Sequence, residues 1–325
     1  MKKQFIKDLR IGDEVETQVL VIEAAKVAFS SSHRAGEHFL KLILADVSGR
    51  VKAVMWDPSE GDKAVAENDI IFISGSVSDY HGPQIVINEL RKLDPGMVNR
   101  SFFQPVSPRN RDTMIAEFRD VMDKVIENSE LKKLLALFFT DSDFFNKFSL
   151  APAARTVHHN YLSGLLEHTL EVIEVCRTLN RLYPGRMEED LLLTGAILHD
   201  IGKIEEYNLD SISFEFTDRG KLVGHISIGV EMLNENITRL PGFSSNLKLE
   251  LEHMILSHHG MREWGSPEIP KTIHAFALFH ADLLSARMGQ LNSVIDKHPT
   301  ESGSWTEWDR FLERSIYIGP GSDGQ

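Results

Sequence analysis

The periodicity of the chain changes once, between residues 95 and 111, and does not change back. Up to Leu93 the apolar residues fall in short β-rich runs, at 16–22, 39–45, 51–56, 70–74 and 85–90. Turn residues separate them, among them Asp46-Val47-Ser48-Gly49 and His81-Gly82-Pro83. Five strands within about 80 residues close most economically into a small barrel. The stretch PGMVNRSFFQPVSPRNR then carries prolines and polar residues without periodicity, as a linker does, with Phe102 and Phe103 expected to dock on a domain surface. Beyond it the apolar spacing is helical as far as residue 290. Helices are expected over 113–126, 130–139, 162–182, a segment ending on His199-Asp200 with Gly202 as its stop, one from about His225, 247–257 and 271–288. One hydrophobic core cannot serve both patterns, and 325 residues suffice for two. The division expected is 1–95 barrel, 96–111 linker, 112–290 helical domain and 291–325 tail. That tail holds Trp305, Trp308, Phe311 and Tyr317 among polar residues, and part of it is expected to pack back.

Composition narrows the function classes. The charged fraction is 26%, no apolar run is long enough to span a bilayer, and no signal segment opens the chain, so a soluble, cytoplasmic protein without a membrane partner is expected. A single cysteine, Cys176, excludes an internal disulfide and a thiolate metal site. The net charge of −13 sits mainly after the barrel: residues 1–95 hold 12 basic and 15 acidic side chains, the remainder 23 and 33. Bound divalent cations would invert the local field of such a surface.

The histidines and one aspartate carry the chemistry. His168, His199-Asp200, His225, His258-His259 and Asp282 fall on five successive helical segments or at their ends, with Asp282 sharing a face with Ala275, Leu278 and Ser285. Mixed imidazole and carboxylate ligands suit Mn²⁺ or Fe²⁺. In an adjacent His-Asp pair the carboxylate has two oxygens and can bridge two ions, the arrangement that clamps attacking and leaving oxygens at phosphorus and activates a water as hydroxide. Asp200 is therefore the expected catalytic centre. Lys203 either serves the phosphate and leaving group or complements a helix C-terminus. Arg155, His158 and His159, just before the first ligand helix, are candidates for gripping substrate. On the barrel, Trp56, Tyr80 and Phe29 are candidates for base stacking and Lys41, Arg50 and Lys52 for phosphate contact, whereas Phe72 is expected in the core.

Three resemblances build on these residues. FLKLILADVSGRVKAVMWD resembles the central hairpin of OB-fold nucleic-acid-binding domains. GLLEHT, HDIGK and SHHG, with His225 and Asp282 in order, resemble the HD superfamily of metal-dependent phosphohydrolases over about residues 150–290. The fold class implied is multidomain, β then α: a small OB-like barrel followed by an all-helical HD-type domain. That resemblance implies a first metal held by His168, His199, Asp200 and Asp282 and a second using His225 and His258, with His259 replacing or supplementing His258. The whole chain, with RTVHHNYLSGLLEHT, LHDIGK, GHISIG and ILSHHG…GSPEIP in order, is similar to the YhaM-type 3'-5' exoribonuclease family. This implies a cytoplasmic enzyme with two divalent ions, Mn²⁺ first and Co²⁺, Fe²⁺ or Mg²⁺ as alternatives. It would release nucleoside 5'-monophosphates from single-stranded RNA, or single-stranded DNA, as a monomer or homo-oligomer. Competing readings are an HD phosphohydrolase of small nucleotides, whether dNTP, nucleoside monophosphate or cyclic dinucleotide, and a non-catalytic nucleic-acid-binding regulator.

Overall fold

A computed structural model describes residues 2, 4–29, 32–34, 36–154, 159–209, 214–296, 298 and 303–319. The chain divides into two compact units, Met1–Pro105 and a second comprising Val106–Leu209 with Phe214–Gln325.

In the first unit, strands β1 (Glu14–Ala28), β2 (His38–Asp46), β3 (Gly49–Met55), β4 (Ile70–Asp79) and β5 (Pro83–Lys92) close a barrel in the order β1-β2-β3-β5-β4. All pairs are antiparallel except β3 with β5, the five-stranded closure of an OB-like barrel. β1 is longer than the apolar run 16–22 because it pairs first with β4 and then with β2, shifting register between Val21 and Glu23. Alternation buries Val19, Val21, Leu42, Leu44, Ile71 and Ile73 inside. Phe72, expected in the core, lies between Ile71 and Ile73 and so faces outward, half-buried beneath the Arg91 guanidinium. The expected linker begins as part of this unit. Asp94 and Asn99 cap two short 3₁₀ turns, and Phe103 is buried with Leu20 and Ile70.

In the second unit, side-chain caps start several helices: Asn110 for α1 (Arg111–Asp120), Asn128 for α2 (Ser129–Phe139) and Asp141 for α3 (Ser142–Leu150). The expected helix 113–126 is α1 followed by a π turn, Val121–Val125. The unanticipated α3 supplies Phe145 and Phe148 to a cluster with Phe118 and Phe139. The remaining helices follow: α4 (Gly164–Leu182), α5 (Glu189–Leu198), α6 (Lys203–Glu206), α7 (Asp218–Leu222), α8 (His225–Thr238), α9 (Ser245–Ser257) and α10 (Ile273–Asp296). Every residue of α5 from Leu191 to Leu198 is buried, so this helix is the centre of the bundle, packed by α4, α9 and α10. α10 continues past the expected end of the helical domain. The described tail is tied to it by Arg287 donating to the Phe311 carbonyl (3.0 Å) and Gln290 to Asp309 (3.1 Å). Within the described tail Thr306 and Leu312 are buried, while the rings of Trp305, Trp308, Phe311 and Tyr317 remain exposed. Among the described residues no helix is long and apolar enough to cross a membrane.

Candidate metal centre

The buried helix α5 ends where the charged residues begin. His199 is its C-cap and Asp200 follows in the next turn. Gly202, expected as the stop of this helix, has right-handed helical geometry (φ −65°) and precedes α6. Its lack of a side chain matters for proximity: a Cβ there would lie 2.0 Å from the His225 carbonyl oxygen. The first turn of α8 can therefore lie against the His-Asp turn. His168 comes from the second turn of α4, His258 and His259 from the turn after α9, and Asp282 from the middle of α10.

These groups converge in a divided pattern. Asp200 Oδ2 lies 3.3 Å from His199 Nε2 and 3.6 Å from His168 Nε2, and Asp282 Oδ1 is 3.1 Å from His168 Nε2. The other oxygen, Asp200 Oδ1, is 3.5 Å from both His225 Nε2 and His258 Nε2. Two groupings able to hold a cation result, His168 with His199 and Asp282, and His225 with His258 and His259. Asp200 stands between them.

The hydrogen bonds prepare each Nε2 as a ligand. His199 Nδ1 donates to the Ala196 carbonyl (2.8 Å), His258 Nδ1 to the Ile255 carbonyl (2.6 Å) and His225 Nδ1 to Glu206 (2.9 Å). Their neutral tautomers therefore carry lone pairs at Nε2. His168 Nδ1 meets Ser285 Oγ at 2.9 Å, and Ser285 Oγ meets Glu171 Oε2 at 2.6 Å. A carboxylate only accepts, so the single hydroxyl hydrogen goes to Glu171 and Ser285 accepts from His168. Four imidazoles thus turn acceptor nitrogens inward. His168 and His199 bring theirs within 3.2 Å of each other, and His225 Nε2, His258 Nε2 and Asp200 Oδ1 are buried without a hydrogen-bond partner. Such a set repels itself unless protons or metal ions lie between its members, and the donor set fits divalent ions.

The electrostatics agree. Burial alone would raise the Asp200 carboxyl, but Lys203 and His199 hold it well below the usual carboxylate range. Asp282 is held low against burial by His168, His199 and His258. Burial draws His168 and His258 below their ordinary values. Burial, reinforced by His258 and His225, pushes His259 down to about 3. His199 rises against burial because Asp200 and Asp282 attract positive charge.

Lys203 opens the single-turn helix α6, just beyond the His-Asp turn. It is buried, with Nζ 2.6 Å from Asp200 Oδ2. His159 is also buried, its ring 5.6 Å from that of His168 and its Nε2 3.4 Å from Glu171, away from the surface position a substrate contact implies. Arg155 and His158 lie outside the described residues. On the barrel, Trp56 is 44% exposed and forms a cluster with Phe29 and Phe39, while Tyr80 is exposed beside His81. Lys41, Arg50 and Lys52 are exposed on the β2–β3 hairpin, where the register puts all three on its outer face. Glu171 and Glu206 carry no signal in the sequence beyond their proximity to candidate ligands along the chain. Ser285 shares the Asp282 face in the sequence, but nothing there marks it for a role.

The HD domain family matches residues 165–287. A 3'-5' exoribonuclease YhaM of Geobacillus sp. (strain WCH70) is 33% identical over 311 residues, covering 94% of this chain and 92% of the relative. That of Listeria welshimeri is 33% identical over 324 residues, 98% and 99% of the two chains. This chain belongs to the YhaM 3'-5' exoribonuclease family. The YhaM resemblance seen in the motifs thus extends over nearly the whole chain, barrel included. Among solved structures, the second OB-fold domain of replication protein A from Methanococcus maripaludis aligns over 29% of this chain and 96% of its own, at 24% identity and a TM-score of 0.25.

Proposed function

We propose that this chain is a metal-dependent 3'-5' exoribonuclease that hydrolyses single-stranded RNA to nucleoside 5'-monophosphates, with single-stranded DNA as a second substrate. The observation that carries the two-ion reading is the division of Asp200. Its Oδ2 faces His168 and His199 while its Oδ1 faces His225 and His258. His168, His199, Asp200 and Asp282 would hold one ion. Asp200, His225 and His258 would hold the other, with His259 beside them. Mn²⁺ suits this mixture of imidazole and carboxylate better than Mg²⁺, whose usual ligands are oxygens. Bound there, the pair of ions supplies Lewis acidity to a phosphoryl oxygen and acidifies water. Asp200 would serve both ions through its two oxygens, and Asp282 adds a second negative charge beside His168. Lys203, fixed by its bond to Asp200, contributes positive charge for the scissile phosphate. On the barrel, Trp56 with Phe29 and the cations of the β2–β3 face offer stacking and phosphate contact, the combination single-stranded nucleic acid requires.

Asp200→Ala is expected to lose RNA hydrolysis at every Mn²⁺ concentration while circular dichroism remains that of the wild type. With 5'-end-labelled RNA the wild type should give a ladder shortened from the 3' end. Near-normal turnover by the variant would sink the two-ion assignment, and wild-type turnover confined to mononucleotides would sink the exonuclease.

A further inference from the structure

The cavity beside the metal ligands, about 380 Å³ in volume, has a second character that phosphate hydrolysis does not explain. One part of its wall is polar and includes Asp200, Lys203, His258, His259 and Asp282; the remainder includes Phe216, Trp264, Phe279 and Leu283. Trp264 is 46% exposed although it lines a cavity that holds buried imidazoles. It closes the 3₁₀ turn Arg262–Trp264 in the same loop that carries His258 and His259. That loop is tightly held. The Trp264 amide donates to the Met261 carbonyl (3.1 Å), Gly265 takes a left-handed φ of +86°, and the buried Ser266 hydroxyl bonds within the loop and to the Leu256 carbonyl. Behind the indole stands Phe279, ring centroids 6.4 Å apart. Gly260 lies so close to that ring that a Cβ would approach it to 2.1 Å. The turn bearing the imidazoles and the wall of the aromatic end are thus built as one piece, and the indole is placed in advance of any ligand.

We infer that this aromatic end is a nucleobase subsite: the base of the 3'-terminal nucleotide stacks on Trp264 while its 5'-phosphate faces Asp200, Lys203 and the imidazoles. A π-face accepts any of the four bases, so the subsite senses that a base is present without reading which. Stacking of this kind also commits the terminal residue to the cavity as a single nucleotide, consistent with monophosphate release. The inference rests on the nuclease reading of the site, and its test is separable from it.

The test is calorimetric titration of the full-length, Mn²⁺-loaded protein with 5'-AMP and with ribose 5-phosphate, which share the phosphate and sugar and differ by the base. The wild type is expected to bind 5'-AMP about tenfold to a hundredfold more tightly. In Trp264→Ala that ratio should fall to within about threefold of unity, whereas Trp264→Phe should keep most of it. Each protein is judged by its own ratio, so a general loss of affinity cancels. Equal binding of the two ligands by the wild type, or an undiminished ratio in Trp264→Ala, overturns the subsite. A preserved 5'-AMP preference in a protein that leaves RNA ends intact would defeat the exonuclease reading and keep the subsite.

Discussion

Ser285 shows how one hydroxyl hydrogen can decide what an imidazole offers. Because that hydrogen is given to Glu171, Ser285 can only accept from His168, and the neutral His168 ring then turns its lone pair at Nε2 toward Asp282, Asp200 and His199. Glu171 is in turn held low, against burial, by His159 and Ser285. Ser285→Ala should therefore weaken Mn²⁺ binding about tenfold to a hundredfold, measured by titrating metal-stripped protein, while Ser285→Thr retains most of the affinity. Affinity unchanged in Ser285→Ala would show that packing alone orients His168. The ligand residues were legible in the sequence because their order along the chain is distinctive. Ser285 and Glu171 were not, because a serine and a glutamate on helices are ordinary until the helices are laid together.

Elements place these residues through their ends more than their faces. His199, His225, His258 and His259 all lie at helix termini or in the turns beyond, so their positions depend on where each helix stops and how closely the next approaches. Gly202 permits that approach. In the barrel the corresponding device is the tight β2–β3 hairpin, whose first corner residue, Asp46, is buried. It accepts from the Ser48 amide (2.8 Å), the Ser48 hydroxyl (2.5 Å), the Ile6 amide (2.9 Å) and the Lys2 ammonium (2.5 Å). Burial draws the Lys2 ammonium below its ordinary value despite Asp46, whereas the Asp46 carboxyl overcomes its own burial and ends below the usual range, so the stabilisation resides in the carboxylate. A carboxyl lowered on folding contributes stability that is present above its unfolded pKa and is lost as pH falls through the folded value. Asp46→Asn should accordingly destabilise the barrel by about 2–3 kcal/mol at neutral pH and by less in acid, read from denaturant unfolding at pH 7 and pH 3. An equal cost at both pH values would assign the effect to shape instead of charge. The hairpin itself was visible in Asp46-Val47-Ser48-Gly49, but the Lys2 partner, 44 residues away, was not.

On the scale of the molecule, the two units have separate cores, one of barrel aliphatics and one built around α5 and the phenylalanines of α1–α3. All the candidate ligands belong to the second. Mn²⁺ binding should therefore raise the melting temperature of that unit alone, by about 5–10 °C at a hundredfold excess over Kd, and leave the barrel transition where it was. Calorimetric scans with EDTA and with Mn²⁺ check this. A shift of both transitions together would indicate that the units unfold as one. The change from strand to helix periodicity, the barrel's approximate strands and the ordered His and Asp residues of the centre are all readable from the chain, because they depend on local spacing or on distinctive residue types. That the two oxygens of Asp200 face different imidazole pairs, that Trp264 shares a cavity with those imidazoles, that Phe72 points out and that the tail's rings remain exposed emerges once the elements are packed together. Those facts depend on directions between elements distant in the chain, where long-range packing and hydrogen bonding, not local pattern, set the geometry.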